Sequence, residues 1–360
     1  MKNIAIVTIN DYANIGNRLQ NLAVQTILKN RYNNINVETI RNFANRPNFG
    51  RIYYFMKCFE HNVKQVFGIF DAKYRYAGKF LKFNKKIQFS KFGFFNGCNY
   101  RRIDNQYDYF VVGSDQIWNP LLFRGCMYNN FLMFTSPSKK ITFAPSIALD
   151  KIPEQYTGMY DEYLKAFDRI FVREKDSIEL VKQFANCPVE ATLDPTMFLS
   201  KYEWMQFAKN TKQKNRYVLC YFLGGKSEST RAEIDKFAFE NDLKVVDISD
   251  DASPKFPKYA PDEFIDLIDK AEYVFTDSFH GSVFSFIFHK KFIIFERNGS
   301  FDMSSRITSL VGDLDIAQVL RKNVSAIDEV KQQKIDYAVG EAFIAKQKQK
   351  YFEYLDEKLK

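Results

Sequence analysis

Short apolar runs alternate with amphipathic stretches along most of the chain, and no other feature of the sequence constrains the fold as strongly. The runs 4–9, 109–112 and 217–223 contain few polar side chains, as expected of strands buried in a parallel sheet. The stretches 18–30 and 228–240 are instead interpreted as helices. Strands that alternate with helices form parallel sheets with helices on both faces. We therefore predict an α/β protein built from doubly wound, Rossmann-like sheets.

The chain is long enough for two such sheets. Its 360 residues exceed the size of one typical hydrophobic core. A stretch rich in Lys, Asn and Gln at 209–216 separates two series of strands and is interpreted as the linker. We predict an N-terminal α/β domain over 1–200, a C-terminal α/β domain over 201–335 and a closing helix over 336–360. The two domains are expected to face each other across a cleft.

A basic and aromatic segment, residues 51–102, interrupts the N-terminal series. Lys and Arg recur throughout it, aromatic residues are interleaved, and Glu60 and Asp71 are its only acidic residues. We predict a helical insertion. Its surface suits an anionic membrane, where basic aromatic helices lie in the interface. Equally, surface helices can bury their aromatic sides against the protein. No nucleic acid partner is expected, because the sequence has no recognisable nucleic-acid-binding motif.

Composition excludes several classes of protein. The five cysteines are scattered and have no paired spacing, so neither a disulfide framework nor a zinc site is expected. No apolar run approaches the roughly 20 residues that a membrane-spanning helix needs. The first apolar run is too short for a signal peptide. We therefore expect a cytoplasmic protein, with a net charge of +9.

One strand-to-helix turn, residues 276–282, combines two features of a catalytic site. Its His280 is one of three histidines in the chain and can carry a proton near neutral pH. The residues after it open a helix, whose unpaired N–H groups and dipole favour an anion. The alternative is a capped helix start, with Asp277 or Ser278 as the N-cap and the histidine in a structural hydrogen bond.

Polar groups and glycines also stand at the ends of other predicted strands, in both halves of the chain. The strand ends of a parallel sheet meet at one edge, and open α/β sheets bind their ligands there. These residues are Gly16 and Asn17 after the first strand, Ser114, Asp115, Gln116 and Trp118 after 109–112, Arg173 after 169–172, Lys226 after 217–223, and Arg297 after 292–295. Their placement predicts a site between two domains.

Several fragments, taken together, resemble the polysaccharide pyruvyl transferase family. They are 14–17 (NIGN), 111–120 (VVGSDQIWNP), 172–177 (VREKDS), 193–196 (LDPT), 276–281 (TDSFHG) and 304–307 (SSRI). The resemblance implies a fold like that of the two-domain GT-B glycosyltransferases. It also implies transfer of the enolpyruvyl unit of phosphoenolpyruvate onto two hydroxyls of a sugar, which gives a cyclic pyruvate ketal and releases phosphate.

The implied reaction gives roles to the residues at the strand ends. His280 is expected to act as the acid or to contact the phosphate, and Asp115 to bind or deprotonate the acceptor. The alternatives are an N-cap for Asp115, a core position for Trp118 and an ion pair for Arg173. The expected donor-binding residues are Arg297, Arg306, Ser278, Gly281, Lys226 and Arg173. The expected acceptor-binding residues are Asn17, Gly16, Ser114, Gln116 and Trp118.

The chain departs from the family at one position. Many members carry an arginine two residues before the histidine, where this chain has Ser278. A serine cannot supply the bidentate positive charge of a guanidinium. Arg297, Arg306, Arg173 or Lys226 could supply that charge from neighbouring strand ends. A GT-B-type glycosyltransferase that uses a nucleotide-sugar, or a non-catalytic carbohydrate-binding relative, stays open as an alternative.

The resemblance further implies partners and a location. The acceptor is expected to be a sugar or a lipid-linked oligosaccharide, a precursor of a capsular or other surface exopolysaccharide. Phosphoenolpyruvate is the co-substrate, and no further cofactor is expected. A metal site is not expected either, because the acidic residues do not cluster at ligand spacing. Residues 51–102 would place the protein peripherally at the inner face of the membrane.

Overall fold

The structure is a computed structural model, and it describes residues 1–9, 13–42, 75–94, 99–122, 127–249, 256–297 and 304–359. All named strand pairs within these ranges are parallel. The strands are β1 (Lys2–Val7), β2 (Ile35–Asn42), β3 (Phe89–Phe94), β4 (Tyr109–Val112), β5 (Lys140–Thr142), β6 (Ile170–Val172), β7 (Val189–Ala191), β8 (Tyr217–Tyr221), β9 (Lys244–Asp247), β10 (Tyr273–Thr276) and β11 (Lys291–Ile294).

Helices connect most of these strands. The α-helices are α1 (Ile15–Arg31), α2 (Ala77–Phe83), α3 (Tyr100–Asp104), α4 (Met127–Asn130), α5 (Glu154–Leu164), α6 (Asp176–Lys182), α7 (Lys201–Met205), α8 (Glu228–Glu240), α9 (Pro261–Lys270), α10 (Phe279–Ile287), α11 (Ser304–Leu314) and α12 (Tyr337–Lys358). Short 3-10 helices occupy Asn84–Lys86, Pro137–Lys139, Pro195–Phe198, Ala317–Val319, Arg321–Asn323 and Ile327–Gln332. Among the helices of the described ranges, none has the length and hydropathy needed to cross a bilayer.

The strands form two main sheets, one in each half of the chain. The first has the order β3-β2-β1-β4-β5, and the second has the order β11-β10-β8-β9. The pair β6-β7 forms a separate two-stranded sheet next to β5, and the Phe171 carbonyl of β6 accepts from the Ala144 N–H at 3.1 Å. The predicted α/β class with two Rossmann-like sheets is confirmed.

Each sheet has a topological switch point, and these points determine where the candidate site lies. In the first sheet the chain passes from β1 to β2 on one side and then to β4 on the other. In the second sheet it passes from β8 to β9 on one side and then to β10 on the other. The crevice outside the strand ends at such a point is the usual ligand site of an open α/β sheet.

The last helix packs on the first sheet, although it follows the second sheet in sequence. The hydroxyl of Tyr351 in α12 donates to the Thr142 carbonyl at 2.8 Å. Its ring packs against Phe143, Phe171 and Phe198, which belong to the N-terminal half. Helix α12 therefore ties the end of the chain to the domain where the chain began.

The basic and aromatic segment lies partly outside the described residues, which omit 51–74 and 95–98. Where it is described, the prediction of helices is wrong after α2, because Phe89–Phe94 forms β3 at the edge of the first sheet. The unpaired edge of β2 offers hydrogen bonds to an extended segment, and this outweighs local helix propensity. Phe80, Phe83 and Phe94 are buried in the protein core. Membrane contact through the rest of the segment stays a prediction.

The region after β11 also differs from the prediction. Besides the closing helix predicted over 336–360, where the structure has α12, the charged amphipathic pattern predicts a helical region that begins at about 324. The segment 321–332 instead forms short 3-10 turns, and α12 begins only at Tyr337. Helix α11, which carries Arg306, is not predicted from the sequence. It packs against α12, so its position is determined by tertiary contacts.

Candidate active site

The two switch points face each other across a cleft of about 430 Å³, which we call the strand-end cleft. A cleft of this size is typical of small-molecule sites. Its walls come from the loops after β1, β4, β8, β10 and β11 and from α11. Its described lining residues are Ile9, Asn14, Asn17, Asp115, Gln116, Leu122, Tyr221, Leu223, Ser278, Phe279, His280, Arg297 and Arg306.

His280 reaches this cleft from the first turn of α10. Ser278 is the N-cap of that helix, and its Oγ accepts a hydrogen bond from the Gly281 N–H at 3.3 Å. The imidazole packs against Gly16 in the first turn of α1, where a Cβ would lie 2.1 Å from Nδ1. Gly16 is predicted to bind the acceptor, and the structure gives its missing side chain a further role. It allows the histidine of one domain to approach the helix backbone of the other.

Asp115 follows β4 in a left-handed backbone conformation, with φ at 60°. Such a conformation is strained for a non-glycine residue and is often found at functional sites. Its Oδ2 accepts a hydrogen bond from Asn17 Nδ2, and its Oδ1 lies 3.4 Å from Arg173 Nη1. Burial raises the pKa of Asp115, but the charges of Arg173, His280 and Arg306 outweigh it, and the pKa lies below its ordinary value. The side chain is therefore an ionised acceptor and a weak base.

Arg173, at the end of β6, links three carboxylates in the interior. Its Nη1 lies 3.2 Å from Asp194 Oδ2 as well as near Asp115, and its Nε donates to Glu174 Oε1 at 3.0 Å. Burial opposes the charge on Arg173, but these carboxylates raise its pKa above the ordinary value. Only 3% of its side chain is exposed, so Arg173 orients the network rather than reaching far into the cleft.

Arg306 comes from α11 and completes this network on the cleft side. Its Nη1 lies 3.7 Å from Asp115 Oδ1. The amide oxygen of Gln116, in the orientation that satisfies both groups, accepts from Arg306 Nη1 at 2.9 Å and Nη2 at 2.7 Å. Burial and the charge of Arg173 lower the pKa of Arg306 to about 10. The guanidinium is therefore charged at neutral pH and lies against the cleft.

Arg297 follows β11 and approaches the cleft from the second domain. Its Nη2 donates to the Asp277 carbonyl at 3.0 Å, and its Nε lies 3.7 Å from Asp277 Oδ2. The carboxylate of Asp277 is mainly structural, because it accepts from the backbone N–H groups of Leu223 at 2.6 Å and Gly224 at 2.8 Å. Arg297 is thus held beside Ser278 at the start of α10.

The electrostatic surroundings of His280 favour a neutral imidazole. Burial lowers its pKa, the carboxylates of Asp194 and Asp115 raise it, and the charges of Arg173 and Arg306 lower it again. The resulting pKa lies below the ordinary value, so the ring is neutral at pH 7. In the free protein His280 is therefore suited to accept a proton, which differs from the predicted role as an acid.

Two predicted acceptor-binding residues lie in the interior and do not line the cleft. Trp118 is fully buried, stacks on Phe131 at 4.7 Å, and donates its Nε1–H to the Asn130 carbonyl at 2.9 Å. Stacking on a sugar is wrong for Trp118, because no face of its ring is accessible. Ser114 is also fully buried, and its Oγ donates to the Ala144 carbonyl at 2.8 Å.

Two predicted donor-binding residues have structural surroundings. Lys226 forms an ion pair with Asp247 at the end of β9 and does not line the cleft. Gly281 is buried, and a Cβ there would lie 2.3 Å from Thr276 Oγ1. Its contribution is the N–H group that Ser278 caps. The structure brings together the remaining predicted residues at the cleft or directly behind it.

Asp194 was not predicted as a site residue, although it lies within the fragment 193–196. It is fully buried directly behind His280, with Oδ2 at 3.8 Å from Nε2. A strand followed by Asp-Pro was the signal available in the sequence. Only the fold shows that the loop after β7 lies next to the start of α10 in the other domain.

The carboxylates of the site are engaged by cations of the protein itself. Asp115, Asp194 and Glu174 all contact Arg173. Within the described ranges, no group of three or more His, Cys, Asp or Glu side chains is arranged to hold a metal ion. Metal independence stays a prediction.

Residues 14–299 match the family model described as polysaccharide pyruvyl transferase. The match begins at Asn14, the N-cap of α1, and extends past Arg297. The chain belongs to this family. Asp115, Arg173, Asp194 and His280 all lie within the matched range, whereas Arg306 lies beyond it. A search of curated protein sequences finds no match.

Solved structures share the fold at low sequence identity. A Listeria monocytogenes protein assigned as a UDP-N-acetylglucosamine 2-epimerase superposes with a TM-score of 0.53 and 10% identity, covering 94% of this chain and 91% of that chain. A second structure, described as UDP-N-acetylglucosamine 2-epimerase, has a TM-score of 0.50 and 13% identity, covering 98% and 96%. These similarities concern the fold alone, and they confirm the GT-B-like architecture.

Proposed function

We propose that this family member transfers the enolpyruvyl group of phosphoenolpyruvate onto two hydroxyls of a sugar in a polysaccharide precursor, forming a cyclic pyruvate ketal. The observation that carries the proposal is the meeting of a neutral His280 with Arg297, Arg306 and the ionised Asp115 in one cleft. Guanidinium groups suit the phosphate and carboxylate of this donor. The imidazole supplies the proton transfer that the reaction needs.

The chemistry balances with a single proton-carrying group. A proton added to C3 of the donor converts its CH₂ to CH₃ and leaves an oxocarbenium-like centre at C2. The first sugar hydroxyl attacks C2 and returns a proton to the imidazole. The bond from C2 to the phosphate oxygen then breaks, the second hydroxyl forms the other C–O bond, and its proton leaves with the phosphate. His280 thus serves first as acid and then as base.

The charges around His280 support its protonation when the donor binds. Two carboxylates, Asp194 and Asp115, and two arginines, Arg173 and Arg306, act on the free imidazole, so their charges oppose each other and burial keeps the ring neutral. A bound phosphate and carboxylate would add negative charge beside the ring and favour the imidazolium.

Arg297 is assigned to the donor in place of the arginine that many family members carry two residues before the histidine. Ser278 at that position is occupied in capping α10. Arg297 comes from the neighbouring strand and is bonded to the residue just before Ser278. Its side chain is 17% exposed, which leaves part of the guanidinium available to a ligand. Asp115 and Asn17 are assigned to the acceptor sugar.

Nucleotide-sugar transfer is the second candidate function. Ser278 lacks the charge expected for phosphoenolpyruvate, and the two structures with a similar fold are described as enzymes of UDP-N-acetylglucosamine. In that reaction Asp115 could bind the acceptor hydroxyl and His280 could accept its proton, as in pyruvyl transfer. The donor therefore distinguishes the two candidates.

A labelled donor tests the proposal before the acceptor is known. Phosphoenolpyruvate with ¹³C at C3 is incubated with the protein and a panel of bacterial saccharides, and the vinyl CH₂ signal is followed by NMR. The expected result is a new ketal methyl signal with one phosphate released per ketal. His280→Gln should abolish both, whereas His289→Gln, at an exposed position, should not.

Thermal unfolding with each donor provides the second measurement. A ligand that binds only the folded state raises the midpoint of unfolding. Phosphoenolpyruvate should raise it, and the increase should be lost in Arg297→Met. An increase with UDP-sugars alone, together with no ketal methyl signal, would replace the proposal with the nucleotide-sugar alternative.

A further inference from the structure

The carboxylate of Asp194 is held in place by hydrogen bonds and lies beside the imidazole of His280. Asp194 follows β7 and none of its side chain is exposed. Its Oδ1 accepts from the Thr196 N–H at 3.0 Å and from Thr196 Oγ1 at 2.7 Å. Its Oδ2 accepts from Arg173 Nη1 at 3.2 Å. Ser114 Oγ, whose proton goes to the closer Ala144 carbonyl, also lies 3.2 Å from Oδ2. Three donors therefore hold the carboxylate in one orientation.

The imidazole of His280 presents one nitrogen to this carboxylate. Nε2 is buried, has no hydrogen-bond partner among the described residues, and lies 3.8 Å from Asp194 Oδ2. A movement of about 1 Å would bring the pair within hydrogen-bond distance. A buried N–H without an acceptor is costly, so the carboxylate is the group that can satisfy a proton on Nε2.

The other ring nitrogen faces surroundings that disfavour a proton. Nδ1 lies against Gly16, the second residue of α1, at the position a side chain would occupy. The N-terminus of a helix carries partial positive charge, which opposes protonation of a neighbouring group. His280 lines the cleft and its Nε2 is buried, and from this we infer that Nδ1 is the nitrogen that a ligand in the cleft can reach.

We propose that Asp194 is the positioning residue of His280: its carboxylate holds the proton on Nε2 and leaves Nδ1 as the basic nitrogen facing the cleft. The proton transfers assigned to His280 rest on the proposed function, whereas the tautomer is a property of the free protein. Asp194 acts through the imidazole and does not itself contact the substrate.

Four charged groups face the imidazole from four elements of the fold. Asp194 follows β7, Asp115 follows β4, Arg173 follows β6, and Arg306 is in α11. Gly16 of α1 contributes only its backbone. Asp194 differs from the other three because its carboxylate oxygen lies within 4 Å of Nε2. Removing the charge of Asp194 should therefore change the pKa and the tautomer of His280 more than removing a carboxylate elsewhere in the network.

Nuclear magnetic resonance of ¹⁵N-labelled histidine tests the proposal without substrate. The chain has three histidines, and His280→Gln identifies the relevant signals. In the wild type, the neutral His280 should carry its proton on Nε2, with the shift of an unprotonated nitrogen at Nδ1. In Asp194→Asn, the pKa of His280 should fall further by about one unit or more, and the Nδ1–H tautomer should appear.

Glu174→Gln is the matched control. Glu174 binds the same Arg173 and is also buried, but it makes no contact with the imidazole among the described residues. Its removal should leave the tautomer and titration of His280 unchanged. An equal change in both variants would show that network charge alone controls the ring and would overturn the proposal.

The wild-type spectrum decides the question even if Asp194→Asn fails to fold. A neutral His280 with its proton on Nδ1 would exclude the proposed orientation. Because this measurement uses neither phosphoenolpyruvate nor a sugar, it can fail while donor transfer is observed, or succeed while donor transfer is not.

Discussion

Two aspartates occupy corresponding positions in the two sheets, yet their surroundings differ. Asp115 follows β4 and Asp277 follows β10. Each of these strands pairs with the first strand of its sheet, on the side opposite the second strand. Asp115 contacts the side chains of Asn17, Arg173 and Arg306. Burial raises its pKa, but the charges of Arg173, His280 and Arg306 outweigh this and keep the pKa low. Asp277 is bound by two backbone N–H groups, and burial raises its pKa.

The difference shows that the two domains contribute different groups to the site. The N-terminal domain supplies a network of charged side chains from three strand ends, those of β4, β6 and β7, which fixes Asp115 and Asp194. The C-terminal domain uses its aspartate to hold the loop after β8. It presents His280 and Arg297 from the rigid start of α10 and the end of β11. The role that we assign to a carboxylate at a strand end therefore depends on what its neighbours donate.

Removing the proton carrier should have the largest effect. His280→Gln preserves the approximate size of the side chain but cannot be protonated. We expect ketal formation to fall by about 10²–10⁴-fold, the usual contribution of a general acid–base group. Turnover on the acceptor found in the labelling experiment measures this. His289→Gln is the control, and a similar loss in both variants would contradict the assigned role.

Exchanging each aspartate for asparagine tests the comparison directly. Asp115→Asn should reduce turnover by about 10²-fold with a small loss of stability, because its charge acts on Arg306 and on the acceptor. Asp277→Asn should cost about 1–3 kcal/mol of unfolding free energy, because Asn has a single acceptor oxygen and leaves one of the N–H groups of Leu223 and Gly224 without an acceptor. Urea unfolding and turnover are measured on both. If both variants lose the same property, the two aspartates do not differ in role.

A methyl group added at Gly16 should disturb the contact between the domains. Gly16→Ala places Cβ against His280, and we expect a loss of about 1–3 kcal/mol in stability from overpacking, with reduced turnover. Gly158→Ala in α5 is the matched control, since a Cβ there meets no atom within 4 Å. That variant should be as stable as the wild type or slightly more stable. Urea unfolding distinguishes the two.

The lowered pKa of His280 predicts a pH dependence of stability. The unfolded chain protonates this histidine near its ordinary value of 6.5, whereas the folded protein does so only at lower pH. As pH falls below that value, the unfolded state binds more protons, so the unfolding free energy decreases until the folded-state pKa is reached. In His280→Gln the decrease between pH 7.5 and 5.5 should be smaller. Equal slopes in both proteins would contradict a lowered pKa.

The smallest effect is expected at Lys226. Lys226→Met removes the ion pair with Asp247 but no group that lines the cleft. The affinity for phosphoenolpyruvate, measured by calorimetry, should therefore change less than twofold. A large loss of affinity would return Lys226 to the donor site and would show that the second domain contributes more charge than the structure indicates.

Local sequence patterns were sufficient for much of the fold. The strand 109–112 and the helix 228–240 were predicted with the bounds that the structure has, because apolar runs and helix-capping patterns act over a few residues. The predicted secondary structure was wrong where residues far away in the sequence determine the local conformation. One example is β3, which pairs with the open edge of β2. The same holds for α11, which packs on α12.

Local patterns along the chain were enough to predict the α/β class, the strand ends that carry polar groups, and the strand-to-helix turn that contains His280. Those features depend on neighbouring residues, so they can be read along the chain. The core position of Trp118, the pairing of Lys226 with Asp247 and the place of Asp194 behind the imidazole follow from the packed fold alone. Burial and charge depend on which strand ends meet across the two domains, and that meeting is a property of the packed molecule.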